Sequence, residues 1–220
     1  MLRVIVSMLA AVSIAVVPST AWAGWNQPSG GPLDVVPAAN AASSSLANVA
    51  GVPYAAWAES SVGRFQIFVN RLEGTTWVRV GGSLNVDPTD DATFPDIASV
   101  AGVPYVAWVE EPAAGHALLL VDRFVAGAWI DWTTVGESLN VNSAQDASSP
   151  TIASVGGAPV VVWQELNGAV FQIRFGRFNG TNWQALGGPL NVDPTQNATF
   201  ADPALIAVGG VPYVTWQEAN

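Results

Sequence analysis

Neither cysteine nor lysine occurs in this sequence, and His116 is its one histidine. Without cysteine there is no disulfide, no thiolate nucleophile and no thiolate metal site, and oxidative folding places no constraint on the compartment. Without lysine, the basic residues are seven arginines against 17 aspartates and glutamates, a formal net charge of −10. Such an acidic chain repels phosphate backbones and anionic lipid, which excludes nucleic acid as a partner and leaves cations, neutral polyols and basic proteins. A lone histidine in a divergent turn argues against a Ser-His-Asp system. Beyond residue 23 no window carries a helical period.

Half of the residues are apolar, which argues against disorder, and the chain is rich in glycine, proline and tryptophan. Its organising feature is one stretch found four times: Gly51-Val-Pro-Tyr-Ala-Ala-Trp57-Ala-Glu59, Gly102-Val-Pro-Tyr-Val-Ala-Trp108-Val-Glu110, Gly157-Ala-Pro-Val-Val-Val-Trp163-Gln-Glu165 and Gly210-Val-Pro-Tyr-Val-Thr-Trp216-Gln-Glu218. A period of about 50 residues marks a repeat array whose units bury their apolar faces against one another.

Residues 1–23 have the features of a signal peptide: Arg3, an apolar run from Val4 to Val17, and Ala21-Trp22-Ala23 before Gly24. No later stretch is long and apolar enough to span a bilayer as a helix. The expected location is secreted, periplasmic or at the cell surface.

Each complete unit runs through four short apolar segments. The first is a small-residue strand (Ser44 to Val49, Pro95 to Val100, Pro150 to Val155), and the second ends in Trp-x-Glu. The third covers Phe65 to Leu72, Ala117 to Phe124 or Phe171 to Phe178, and the fourth begins at Trp77 or Trp183. In the middle unit, extra residues at Val125 to Asp131 make Trp132, rather than Trp129, the expected counterpart of Trp77. Runs this short, rich in Val, Phe and Trp and bounded by Gly, Pro, Asn and Asp, are strands. Four antiparallel strands per unit predict an all-β fold, a β-propeller of four-stranded antiparallel blades, with the Trp packed between blades.

Expected boundaries are 24–31 for the outer strand of a closing blade, 32–82, 83–137 and 138–188 for three blades, and 189–220 for a partial one. About three and a half blades point to a fragment of a larger ring, with a homodimer completing a seven-bladed ring as the alternative.

Residues two apart on a strand share a face, so each Glu lies on the side of its Trp. The recurring Arg71, Arg123 and Arg177 are predicted at the opposite end of the strands, too far for an ion pair within the hairpin. The Glu end also receives the blade-to-blade connections, Asn85 to Asp91, Asn140 to Asp146 and Asn191 to Asn197. Glu59, Glu110, Glu165, Glu218, Asp87, Asp90, Asp91 and Asp193 are therefore the candidate ligand-binding residues. Carboxylates and amides are the oxygen donors that Ca²⁺, a cationic group or sugar hydroxyls require. The alternative is that Asn and Asp cap turns and Glu meets a backbone amide. No Asp-x-Asp-x-Asp-Gly loop is present, and no cofactor is expected. The units echo one another, and none departs in acidic or nucleophilic residues, so no catalytic residue is assigned. Asn179-Gly-Thr181 and Asn197-Ala-Thr199 fit the N-glycosylation pattern.

The segments Asn179-Gly-Thr-Asn-Trp183-Gln-Ala-Leu-Gly-Gly188 and Gly74-Thr-Thr-Trp77-Val-Arg-Val-Gly-Gly82 resemble repeats of secreted bacterial β-propellers, among them lectin-like and sialidase-like ones. The Ser-x-Asp that opens a sialidase Asp-box is absent. The resemblance implies the fold and, by analogy, sugar binding. The expected function is an exported, non-catalytic module recognising a glycan or an extracellular protein through blade loops and inter-blade grooves. A glycan hydrolase with catalytic residues in missing sequence, and a structural surface protein without small ligand, are the alternatives.

Overall fold

The computed structural model describes residues 33, 35, 39–61, 63–131, 138–198 and 203–219. The leader over 1–23, the outer strand at Trp25, Trp132 and Thr199 lie outside the described residues. No helix among the described residues is long and apolar enough to cross a membrane.

Fourteen described strands form four sheets. The first holds β1 (Ala41–Val49), β2 (Val52–Ser61), β3 (Arg64–Glu73) and β4 (Thr76–Arg79). The second holds β5 (Asp91–Val100), β6 (Val103–Glu111), β7 (Leu118–Val125) and β8 (Ala128–Asp131). The third holds β9 (Ala147–Val155), β10 (Ala158–Asn167), β11 (Val170–Phe178) and β12 (Trp183–Ala185). β13 (Ala204–Val208) and β14 (Val211–Thr215) pair with each other. Neighbours in sequence are neighbours in the sheet and all run antiparallel.

The first turn of each sheet follows from two residues with positive φ. Ala50-Gly51 (50° and 89°), Ala101-Gly102 (51° and 79°) and Gly156-Gly157 (59° and 78°) each close a two-residue hairpin. Such turns twist with the strands, and glycine accepts the left-handed conformation without strain.

The sheets pack face on face. Trp108 is fully buried among Val49, Tyr54, Ala56, Ile67 and Val80 of the first sheet. Trp163 packs in the same way on Val100, Tyr105, Ala107, Leu119 and Val121 of the second. Trp216 packs on Val162, Ile173 and Phe175 of the third. The core is thus a series of plug-and-socket contacts between consecutive sheets, with the recurrent Trp as plug. An aromatic of this size buries about 150–250 Å², which explains why the residue recurs.

One expectation is corrected. Trp129, not Trp132, stands where Trp77 stands, because Phe124 pairs with Trp129 as Leu72 pairs with Trp77 and Phe178 with Trp183. Ala126 and Gly127 form a tight turn (φ 54° and 86°), so the extra length of this unit follows β8 instead of preceding it. Trp129 packs at a tilt against Phe124 with ring centroids 5.2 Å apart and donates from Nε1 to the Val80 carbonyl at 2.7 Å.

Candidate functional site

The strand registers separate the two ends of each sheet. Glu59 pairs with Gln66 beside the β2–β3 turn, whereas Arg71 pairs with Tyr54 near the β1–β2 turn. Arg71 bonds Glu73 instead, with Nε donating at 2.8 Å. The connections between sheets meet the Glu end. Phe65 N donates to Asp91 Oδ1 at 2.8 Å, and Ile67 N to Asn85 Oδ1 at 3.0 Å.

At this end the recurrent Glu residues do one repeated job. Glu59, Glu110 and Glu165 are buried, and each carboxylate accepts the indole N–H of the Trp two residues before it, at 2.9, 3.3 and 2.8 Å. Their oxygens also accept backbone amides of the preceding connection. Val86 N and Asp87 N donate to Glu110 at 2.9 and 2.8 Å, and Val141 N and Asn142 N to Glu165 at 2.8 and 2.9 Å. Glu59 holds Val35 N, and the part-exposed Glu218 holds Val192 N and Asp193 N together with the Trp216 indole. Trp-x-Glu is therefore a clasp: the Trp plugs the preceding sheet, and the Glu ties down the loop leaving that sheet. Burial pushes the Glu110 carboxyl upward against its amide and indole donors, while the Asp193 amide foremost pulls that of Glu218 down.

The Asn and Asp residues of the connections are also engaged. Asn85, Asn140 and Asn191 each accept an amide from the third strand and donate to two carbonyls, replacing a missing strand neighbour. Asp87 and Asp193 accept both the amide and the hydroxyl of the Thr two residues on, and the hydroxyl foremost lowers their carboxyl pKa values. Asp91, Asp146 and Asn197 share one task, accepting Phe65 N, Ala117 N and Phe171 N. Asp90 accepts Ala113 N at 3.2 Å, and His116 contacts Asp146 at 3.1 Å. The structure thus gathers the eight candidate residues on one end of the sheets and engages each with a neighbouring backbone or side-chain group. Among the described residues no cluster of three or more His, Asp or Glu could hold a metal ion.

The innermost strands β1, β5 and β9 lie side by side around an axis. Near its start each carries a bulge, whose residue Ser43, Phe94 or Ser149 has positive φ (50°, 53° and 47°). These bulges, with the start of β13, surround an open cavity of about 470 Å³. Phe94 lines it and is 41% exposed. A bulky side chain at positive φ is a backbone outlier costing about 1–3 kcal/mol, and here the strain falls on an aromatic residue of the cavity wall. The wall also offers Ser43, Ser44, Ser149, Pro95 and Pro150.

Ser45, Asp96 and Thr151 occupy one register position in three successive inner strands. Asp96 Oδ1 accepts Ser45 Oγ at 2.6 Å, and Oδ2 accepts Thr151 Oγ1 at 3.0 Å and Ile152 N at 2.8 Å. One carboxylate thereby links three sheets at the axis. This corrects the expectation that no unit departs from its fellows in acidic residues. The signal was present as Phe94-Pro-Asp96 set against Ser43-Ser-Ser45 and Ser149-Pro-Thr151, legible once the bulges align the strands.

The sequence matches no protein-family model, and no curated protein matches it. Solved structures do share the fold. Zg3597, a family 117 glycoside hydrolase from Zobellia galactanivorans, is 15% identical with a TM-score of 0.50, over 82% of this chain and 66% of that one. An alpha-L-arabinofuranosidase from Lactobacillus brevis is 11% identical with a TM-score of 0.52, over 82% and 64%. A GH43_1 enzyme from Xanthomonas citri is 14% identical with a TM-score of 0.51, over 81% and 67%. The chain spans about two thirds of the length of each. At these identities the likeness defines a fold class: the protein is an all-β propeller of four-stranded antiparallel blades.

Proposed function

We propose that the protein is an exported, non-catalytic propeller that binds a neutral glycan at the mouth of the axial cavity. The observation that carries this is Phe94, an exposed aromatic held in a strained conformation on the cavity wall. An apolar ring beside a few hydroxyls suits a sugar, which has an apolar C–H face and a hydroxyl rim. The names of two of the similar structures support the carbohydrate class: one is a glycoside hydrolase and one an alpha-L-arabinofuranosidase. Export rests on the leader-like residues 1–23, and the overall negative charge disfavours an anionic ligand.

A binding role is favoured over hydrolysis by the carboxylates. Glycosidases of the usual kind hold two carboxyl groups across the scissile bond, about 5–9.5 Å apart. Among the described residues lining the cavity Asp96 is the one carboxylate, and its oxygens accept three hydrogen bonds.

The test is calorimetric titration of neutral arabino-, galacto- and xylo-oligosaccharides into the protein and into Phe94→Ala, with reducing-end release followed in parallel. Saturable binding by the parent, at least about tenfold weaker in the variant, and no hydrolysis is the expected result. Absence of saturable binding throughout the panel, or full binding by Phe94→Ala, overturns the proposal, and turnover would instead establish a hydrolase.

A further inference from the structure

Asn-Gly occurs twice in this sequence, at Asn167-Gly168 and Asn179-Gly180. The dipeptide carries a latent reaction: the backbone nitrogen of the glycine attacks the side-chain carbonyl carbon of the asparagine, and no Cβ on the glycine stands in the way of that approach. Asparagine is thermally labile by such chemistry. Both copies lie exposed at hairpin turns, after β10 and after β11. Their local chemistry is the same, so a difference between them is set by the fold.

At Asn179 the turn is arranged for the attack. Asn179 Oδ1 accepts the backbone N–H of Thr181 and that of Asn182, each at 2.9 Å. Negative charge builds on that same oxygen as Cγ becomes tetrahedral, and two amides already aimed at it stabilise the charge as an oxyanion hole does. Gly180 N makes no hydrogen bond among the described residues, and nothing lies within 4 Å of where a Gly180 Cβ would stand. At Asn167 the nucleophile is engaged instead. Gly168 N donates to Gln145 Oε1 at 3.0 Å, so the nitrogen must give up that bond before it can attack. No amide donates to Asn167 Oδ1 among the described residues.

We propose that Asn179 is a site of spontaneous modification, converting through a succinimide to aspartate and isoaspartate with water as co-reactant. Gly180 N loses its proton to solvent and bonds to Asn179 Cγ; the Cγ–Nδ2 bond breaks, and Nδ2 takes up a proton and leaves as ammonia. Water then opens the ring, giving aspartate by addition at Cγ or isoaspartate by addition at the backbone carbonyl carbon. Nothing is oxidised or reduced. The turn accommodates the product. Glu73-Gly-Thr-Thr-Trp77 of the first blade is the same turn as Asn179-Gly-Thr-Asn-Trp183, since Leu72 pairs with Trp77 as Phe178 does with Trp183. There a carboxylate already occupies the position, and Arg71 Nε donates to Glu73 at 2.8 Å. The carboxylate formed at Asn179 stands two residues from the exposed Arg177, as Glu73 stands from Arg71. The reaction adds a negative charge and consumes the acceptor amide of the Asn179-Gly-Thr181 glycosylation pattern.

The test is incubation of the full chain in mildly alkaline buffer made with water enriched in heavy oxygen, followed by peptide mass spectrometry that reads label uptake at each asparagine. Asn179 is expected to convert at least about tenfold faster than Asn167, a comparison within one protein that needs no variant. In urea, where only the shared local sequence remains, the two rates converge. Gly180→Ala slows conversion at Asn179, because its Cβ crowds the attacking nitrogen. An Asn167 that keeps pace with Asn179 in the folded protein overturns the proposal, as does an Asn179 that stays unlabelled, a rate difference that persists in urea, or a rate unchanged by Gly180→Ala.

Discussion

Replacing Glu165 measures the worth of the clasp. Its carboxylate is buried and accepts three bonds, from the Trp163 indole, Val141 N and Asn142 N. Glu165→Ala leaves a buried indole donor and two loop amides without acceptor. Each unmet buried donor costs about 1–3 kcal/mol, while loss of the desolvated charge returns part of that, so a net destabilisation of about 3–5 kcal/mol is expected. Glu165→Gln discriminates further. A carbonyl in the place of Oε2 still accepts Trp163 and Val141, but its amide group then faces Asn142 N, donor against donor, for a loss of about 1–3 kcal/mol. Urea unfolding gives both values. Hydrogen exchange at Val141 and Asn142 reports the local release of the loop, with Val86 and Asp87, held by Glu110, as internal controls. An Ala variant within about 1 kcal/mol of the parent, or unaltered exchange at the two amides, would refute the clasp.

Trp108→Ala, which empties the socket of the first sheet, is expected to cost about 3–5 kcal/mol; an almost unchanged melting temperature would count against inter-blade packing. Gly81 has φ 75°, and a Cβ there would fall 2.7 Å from Trp129 Cδ1. Gly81→Ala should therefore lose about 2–4 kcal/mol from strain and overpacking, with a shift in near-ultraviolet circular dichroism as Trp129 moves. Phe94→Gly should relieve positive-φ strain and raise stability by about 1 kcal/mol, while weakening sugar binding in the titration described above.

The Phe65 amide foremost, with help from Arg64 and against some burial, holds the Asp91 carboxyl below the usual range. A folded pKa below the unfolded one gives stability that is present above the ordinary carboxylate range and lost as pH falls through the folded value. Asp91→Asn keeps the acceptor, as Asn197 does in the last blade, so its melting temperature should fall less steeply on acidification than that of the parent. Equal acid slopes would contradict the assignment.

The repeat, the strands and the inter-blade position of Trp108 and Trp163 were legible in the sequence because each rests on local rules. A period of about 50 residues needs only self-comparison, and short Val-rich runs between glycines and prolines can form little else. The separation of Glu59 from Arg71 was legible for the same reason, since antiparallel pairing from a tight turn fixes distance by counting. The middle unit escaped because two tryptophans three residues apart fit its sequence, and the register that selects Trp129 depends on Ala126 accepting positive φ beside Gly127.

The candidate site divides along the same line. Sequence alone determined that Glu and Asn or Asp recur at one end of every blade, since that follows from strand alternation and turn composition. Only the tertiary structure decided what they do there. Whether a carboxylate meets solvent or a buried indole and two amides depends on how one blade's connection folds back over the next blade's second strand, a contact about 23 to 26 residues distant in the chain. The axial cavity belongs wholly to that level. Phe94, Ser43 and Ser149 lie in separate repeats, and they share one wall because bulged inner strands converge on an axis that no single repeat contains.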